Sequence, residues 1–294
     1  MRSIIIIWLA CVAHSAISQD HDWWANNVQW DGNAHWSTYI MSKPGFMGPN
    51  ALPIPDLSSG ITPRSSSFSM EGQSHTMRGD QTFNAVLRGL YAVTPGKIAL
   101  EAIWLPAEYA VVSHALKTER KTFHTFYNQR WATGDLYLQT YLQLIKEEGR
   151  KAGLMLRLGY RFPTSNMQGA ARFTDAPGYY ADLSSRVRLN DHWHVSFMSG
   201  LYVWQTNQDD FVQNDAFLFG SGISRQTGAI TIDLNIRGYL GYLGSGDDPL
   251  AAALRFSYKK NDWAWRAGFQ QGFLDWKYSS MQIGITRFIS SANP

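Results

Sequence analysis

Apolar and polar residues alternate along most of this chain. In "HWHVSFMSGLYVW" (192–204), Trp193, Val195, Phe197, Leu201 and Val203 occupy one parity, and His192, His194, Ser196, Tyr202 and Trp204 the other. A period of two predicts a β-strand whose faces meet different surroundings. At about 3.3 Å per residue such a stretch reaches roughly 40 Å, long for a strand of a globular sandwich. The pattern recurs in "GDLYLQTYLQLI", "KAGLMLRLGYRF", "GYYADLSSRVRL" and "AITIDLNIRGYLGY". Each repeat covers at least the nine to eleven residues that a membrane-crossing strand requires.

The connections carry an independent signal. Short turns at "TPGK" (94–97), "EEGR" (147–150), "LNDH" (189–192), "RQTG" (225–228) and "KKND" (259–262) alternate with longer links at 107–132, 164–177, 206–215, 244–248 and 274–279. Outer-membrane barrels show this order, with short periplasmic turns and long extracellular loops. Twelve strands are predicted, at 66–76, 82–93, 96–106, 133–146, 150–163, 177–189, 192–206, 214–226, 228–243, 249–260, 262–273 and 279–288. Ten or fourteen also satisfy the pattern. The fold class is therefore all-β, a transmembrane antiparallel up-and-down barrel over 66–288, followed by a tail at 289–294.

Residues 1–65 lie outside the alternation. Arg2, the apolar "IIIIWLACVA" and the small-x-small "AIS" ending at Ser18 predict a signal peptide over 1–18. A lipoprotein signal ending at Cys11 is the weaker alternative, because Trp8 stands where a small or aliphatic residue is usual. Cleavage after Ser18 removes the chain's one cysteine, which excludes a disulfide scaffold. Residues 19–65 include "DWWANNVQW" and "KPGFMGPNALPIPDLSSGITPR", too rich in proline and glycine for a ladder strand. They are expected to form either a periplasmic segment or a plug in the lumen. Phe46, Met47, Pro49, Asn50 and Leu52 are the residues that would be buried in the second case.

Composition adjusts this picture in two ways. Charged residues make up 17% of the chain and the net charge is +3, too little to indicate nucleic acid as a partner. No apolar run reaches the 18 residues of a transmembrane helix. If the apolar parity faces lipid, the other parity lines the lumen with Arg88, Lys151, Arg157, Arg161, Arg186, Arg188, Arg237, Arg255 and Arg266, accompanied by Asp135, Asp182 and Asp233. Lys259 and Glu101 fall in the same set. An arginine-rich wall favours anions, unless the cations pair with carboxylates and merely brace a narrow barrel. Trp204, Trp263, Trp265, Trp276, Tyr242 and Tyr258 lie at strand ends, where interfacial girdles collect aromatic rings.

Motifs for catalysis are weak. His192, His194 and Ser196 share a parity beside a turn, without a third orienting group. Asp209–Asp210 and Asp247–Asp248 lack the spacing of a calcium loop. No metal site, cofactor or enzymatic activity is expected.

The stretches "LRLGYRFPTS", "ARFTDAPGYYADLS", "GLYVWQTN", "QNDAFLFGSGIS" and "YLGYLGSGDDPL", with the N-terminal "KPGFMGPNALPIP", resemble a poorly characterised group of bacterial outer-membrane barrels. That group is similar to the phenol-degradation-pathway, transporter-like family. The resemblance implies a bacterial outer-membrane location and a barrel, more than any substrate. The function expected is a passive channel or solute-uptake barrel for small anionic or aromatic solutes, in contact with outer-membrane lipid. A closed accessory barrel binding a surface or envelope protein through its loops is the alternative, and a lipid hydrolase the least favoured.

Overall fold

The computed structural model describes residues 21–33, 39, 42–121, 129–148, 152–166, 172–174, 176–206, 212–244 and 246–289. The predicted signal peptide, Lys151, Asp209–Asp210 and residues 290–294 lie outside the described residues.

Thirteen strands form in chain order: β1 (Ser66–Met77), β2 (Asp80–Thr94), β3 (Ile98–Val112), β4 (Gln129–Ala132), β5 (Leu136–Ile145), β6 (Gly153–Phe162), β7 (Gly178–Arg188), β8 (Trp193–Gln205), β9 (Gln213–Thr227), β10 (Ile230–Leu240), β11 (Leu250–Lys260), β12 (Trp263–Leu274) and β13 (Ser279–Ile289). Each strand but β4 pairs antiparallel with its sequence neighbour in the ring, and β1 pairs with β13 from Ser66↔Ile289 to Thr76↔Ser279. Twelve strands therefore close on themselves, which leaves the ring no unpaired edge. The strand bounds agree with the alternation to within a few residues, including β1, whose alternation is the poorest.

The link at 107–132 departs from expectation. β3 continues past Pro106 to Val112, and its far half pairs with the short β4 through Glu108↔Ala132 to Val111↔Gln129. Proline gives no ladder donor, and the β2–β3 register shifts between Ala85 and Leu87, beside it. Between β3 and β4 the chain forms α2 (His114–Glu119), whose first turn is capped by the Ser113 hydroxyl accepting from the Leu116 N–H at 3.3 Å. The helix α1 (His21–Val28) lies at the same end, where the Asn27 side-chain amide donates to the Thr118 carbonyl at 3.1 Å.

The apolar parity faces outward. Phe68, Leu100, Leu138, Leu158, Phe197, Leu234 and Ile283 are among the exposed side chains of this belt. Burying them in water's absence is the reason for the alternation: lipid replaces the core that the outer face lacks. Trp263, Trp265, Tyr242 and Tyr258 are exposed as a girdle requires, and Tyr258 stacks on Trp265 at 5.8 Å. Trp204 and Trp276 do not belong with them. Both are buried inside the barrel, because an indole whose N–H finds an internal carbonyl acceptor gains more there than at the headgroups.

Candidate functional site: a lumen occupied by the chain's own segment

Residues 42–65 contain five prolines, form no strand, and run along the inside of the wall. Irregular backbone at membrane depth requires acceptors and donors from protein. The wall supplies them. Trp204 Nε1 donates to the Ser42 carbonyl at 3.0 Å, and Trp276 Nε1 to that of Pro49 at 3.1 Å. The hydroxyls of Tyr137 and Tyr239 donate to the carbonyls of Asn50 (3.3 Å) and Leu52 (3.0 Å), and Arg161 Nη1 donates to that of Ala51 at 2.6 Å. Nearer the short-turn end, Gln143 Oε1 accepts from the Thr62 N–H at 2.6 Å while its amide donates to the Gly60 carbonyl.

The apolar side chains of the segment fill the space between these donors. Met47, Ala51, Leu52 and Ile54 are buried against Tyr180, Met198, Tyr202, Trp204, Tyr239, Trp276 and Tyr278. The rings pack mutually: Tyr202 lies 5.2 Å from Trp204 and 5.1 Å from Tyr239, the second contact edge-on. Of the residues singled out in the sequence, Met47, Pro49, Asn50 and Leu52 are buried in the lumen, and Phe46 lies beneath the Lys43 ammonium at 4.2 Å.

Two glycines make room for the segment. Gly60 has a φ of +73°, and a Cβ there would fall 2.5 Å from the Ser185 carbonyl carbon, so no other residue fits without displacement. On β9, a Cβ at Gly222 would lie 2.7 Å from Leu57 Cδ2 and 2.8 Å from Asn235 Cβ. Gly222→Ala is expected to lower the unfolding free energy by about 1–3 kcal/mol through overpacking. Gly72→Ala, on the open outer face, should change it by less than about 0.5 kcal/mol. Urea unfolding of both variants in lipid vesicles checks the difference, and equal midpoints would refute the seating of Leu57 against Gly222.

Charge is concentrated in four places. At the long-loop rim, Asp80 accepts from Arg120 Nη1 (2.8 Å), Arg172 Nη1 (2.7 Å), the Tyr278 hydroxyl (2.9 Å) and the Thr82 hydroxyl (2.8 Å). Glu108 takes Arg172 Nε at 2.9 Å and the Asn50 amide at 2.6 Å, which joins the rim to the segment. Along the wall, Arg157 pairs with Asp182 at 2.7 Å and Arg161 with Asp135 at 3.4 Å. At the short-turn end, Arg186 and Arg188 share Glu147, at 2.8 and 2.9 Å. Many of the sequence-predicted lumen arginines thus have carboxylate partners.

The fourth concentration differs. Arg88 on β2, Arg237 on β10 and Arg255 on β11 converge on one carboxylate, Asp56 of the segment. Asp233 sits in register with Arg255 across β10–β11, and Arg266, on the inward parity of β12, is exposed. Sequence reasoning missed Asp56, Arg172 and Glu108. The first is the one acidic residue in 42–65 and opposes an arginine-rich wall, a signal that was available.

The catalytic motifs remain dispersed. His192 sits at the short-turn end with Nδ1 3.1 Å from the Gln226 carbonyl. A Ser280–His75 pair, Oγ to Nδ1 at 2.7 Å, is buried inside beside Trp276, with no acid completing it among the described residues. Asp247 accepts from the Asn214 amide at 2.6 Å and the Leu243 N–H at 3.1 Å, bracing a loop.

No protein-family model and no curated protein matches the sequence. Among solved structures, an outer membrane channel from Pseudomonas putida F1 overlaps with a TM-score of 0.56 at 13% identity, covering 81% of this chain and 100% of that one. The translocator domain of the autotransporter NalP from Neisseria meningitidis gives 0.47 at 12% identity, over 78% and 89% of the two chains. The Pseudomonas putida toluene transporter TodX gives 0.41 at 10% identity, over 84% and 97%. The likeness to the first is one of fold: the chain is a closed antiparallel β-barrel, the architecture that the resemblance in its sequence implied.

Proposed function

We propose that this protein is a passive outer-membrane channel for small solutes, with anions favoured, whose lumen is held shut by residues 42–65. The observation that carries the reading is the division of the lumen. The long-loop half is filled by the segment and its aromatic donors, while on the inward parity of β2, β11 and β12 Arg88 and Arg255 are half-buried and Arg266 is exposed. Arg88 and Arg255 share with Arg237 the single carboxylate of Asp56, whereas Arg157 and Arg161 each have an acid of their own, so positive charge is in excess there. The fold likeness to an outer membrane channel adds support.

The segment is bound by individual hydrogen bonds and side-chain packing, not by strand pairing. Each such bond is worth about 1 kcal/mol net, so a partial shift that breaks a few of them is within reach of thermal motion or a ligand. Single-channel currents from full-length protein in a planar bilayer, under a KCl gradient, test the proposal. Brief, infrequent steps with a reversal potential of the anion-selective sign are expected. Permanent silence from correctly folded protein, with and without the segment, would refute it and favour an accessory barrel acting through its long loops.

A further inference from the structure

The Asp56 carboxylate has a position unlike any other acid of the interior. Its Oδ1 accepts from Arg237 Nη2 at 2.9 Å and from Arg255 Nη2, and its Oδ2 lies 3.7 Å from Arg88 Nη2. Arg237 and Arg255 come from the neighbouring strands β10 and β11, and Arg88 from β2, beyond β12, β13 and β1 in the ring, so one side chain of the segment ties two parts of the wall together. The carboxylates of Asp80, Asp135, Asp182 and Glu108 have side-chain exposures of 0%, whereas that of Asp56 is 39%. It alone among these pairs can be reached from water.

The arginines also hold unused capacity. Arg237 is almost wholly buried, with Nη1 on the Asn235 amide oxygen at 2.8 Å and Nη2 shared between Asp56 and Gln270. Its Nε, and that of Arg255, have no hydrogen-bond partner among the described residues. A guanidinium binds a carboxylate best through two parallel donors, and Asp56, fixed between Pro55 and Leu57, offers Arg237 only one oxygen on one donor. A free carboxylate would not be so constrained.

We infer that Arg88, Arg237 and Arg255 form a binding site for the carboxylate of a solute, and that Asp56 is its built-in occupant. A carboxylate solute arriving through the lumen competes with Asp56 for the same donors, and its binding releases the segment at that point. The inference rests on the solute-channel reading. A tethered ligand acts at an effective concentration of order millimolar, so the unmodified protein should bind carboxylates weakly and the site should become apparent once Asp56 is neutralised.

Equilibrium dialysis of radiolabelled succinate against full-length folded protein in detergent tests this without any current being measured. Asp56→Asn is expected to bind succinate about ten-fold more tightly than the unmodified protein. Asp56→Glu should keep the weak affinity, and Asp56→Asn combined with Arg255→Gln should lose the gain. Equal affinity of Asp56→Asn and the unmodified protein would overturn the inference, as would an equal gain in the double variant. Should Asp56→Asn fail to fold, Leu57→Cys gives a second measure: its maleimide labelling rate should rise with sodium succinate and not with sodium chloride at equal ionic strength. An unchanged rate would overturn the release step. Succinate binding by a silent barrel would refute the channel and keep the site; a conducting barrel with no such binding would do the reverse.

Discussion

Asp80→Asn should lower the unfolding free energy of the barrel by about 3–5 kcal/mol, the cost of removing one partner from a buried ion pair. Asp80 is wholly buried and answers two arginines from different elements. Arg120 follows α2, and Arg172 belongs to the link between β6 and β7. Neutralising the acid leaves Arg120 without a carboxylate, while Arg172 keeps Glu108 at 2.8 Å. The Tyr278 hydroxyl, which donates to the same oxygen at 2.9 Å, would exchange a charged acceptor for a neutral one or for the Met47 carbonyl at 3.4 Å. Urea titration in lipid vesicles, followed by tryptophan fluorescence, measures the loss. A change below about 1 kcal/mol would show that the rim network is no stronger than a surface pair.

Deletion of residues 19–62 should turn a rarely conducting barrel into one with long, frequent openings. The ring of twelve strands does not depend on the segment for its ladder, since every strand pairs along both flanks with other strands. What the deletion removes is the packing of Met47, Leu52 and Ile54 against the wall rings, together with the Asp56 carboxylate. The emptied lumen then presents Arg88, Arg237 and Arg255 without their counter-ion, so anion selectivity should rise with the open time. Recordings in a KCl gradient report both quantities. Unaltered open time in a deletion variant that still migrates as a folded barrel would mean that the segment does not block passage.

Much of the wall was legible in the sequence. Alternation marks β5 through β12 because each inward side chain meets protein or water and each outward one meets lipid, a difference renewed at every residue. The same rule could not foresee β4, whose four residues depend on the reach of β3 beyond Pro106, nor the inward placement of Trp276, which sits in a loop with no period. The segment was harder still. Its partners are backbone carbonyls, which are the same at every residue, so Ser42, Pro49 and Leu52 carry no mark of the indole or phenol that binds them. Arg157 and Arg161 showed their parity but not their partners, because the acids they meet lie 25 and 26 residues away along the chain.

The closed seam between β1 and β13 also constrains how the molecule is assembled. The segment runs from Ser42, held by Trp204 near the long-loop rim, to Ser66 at the other, and a ring without an edge admits nothing from the side. Either the chain before β1 is drawn lengthwise through a finished cylinder, or the sheet wraps around a segment already in place and β1 and β13 zip over it. Wrapping lets Trp204, Tyr239 and Arg161 find their carbonyls as they leave water, while threading would first leave those donors facing an empty bore. In that light the segment is a mandrel on which the cylinder is wound, and a chain lacking it would close more slowly even where the final ladder is the same.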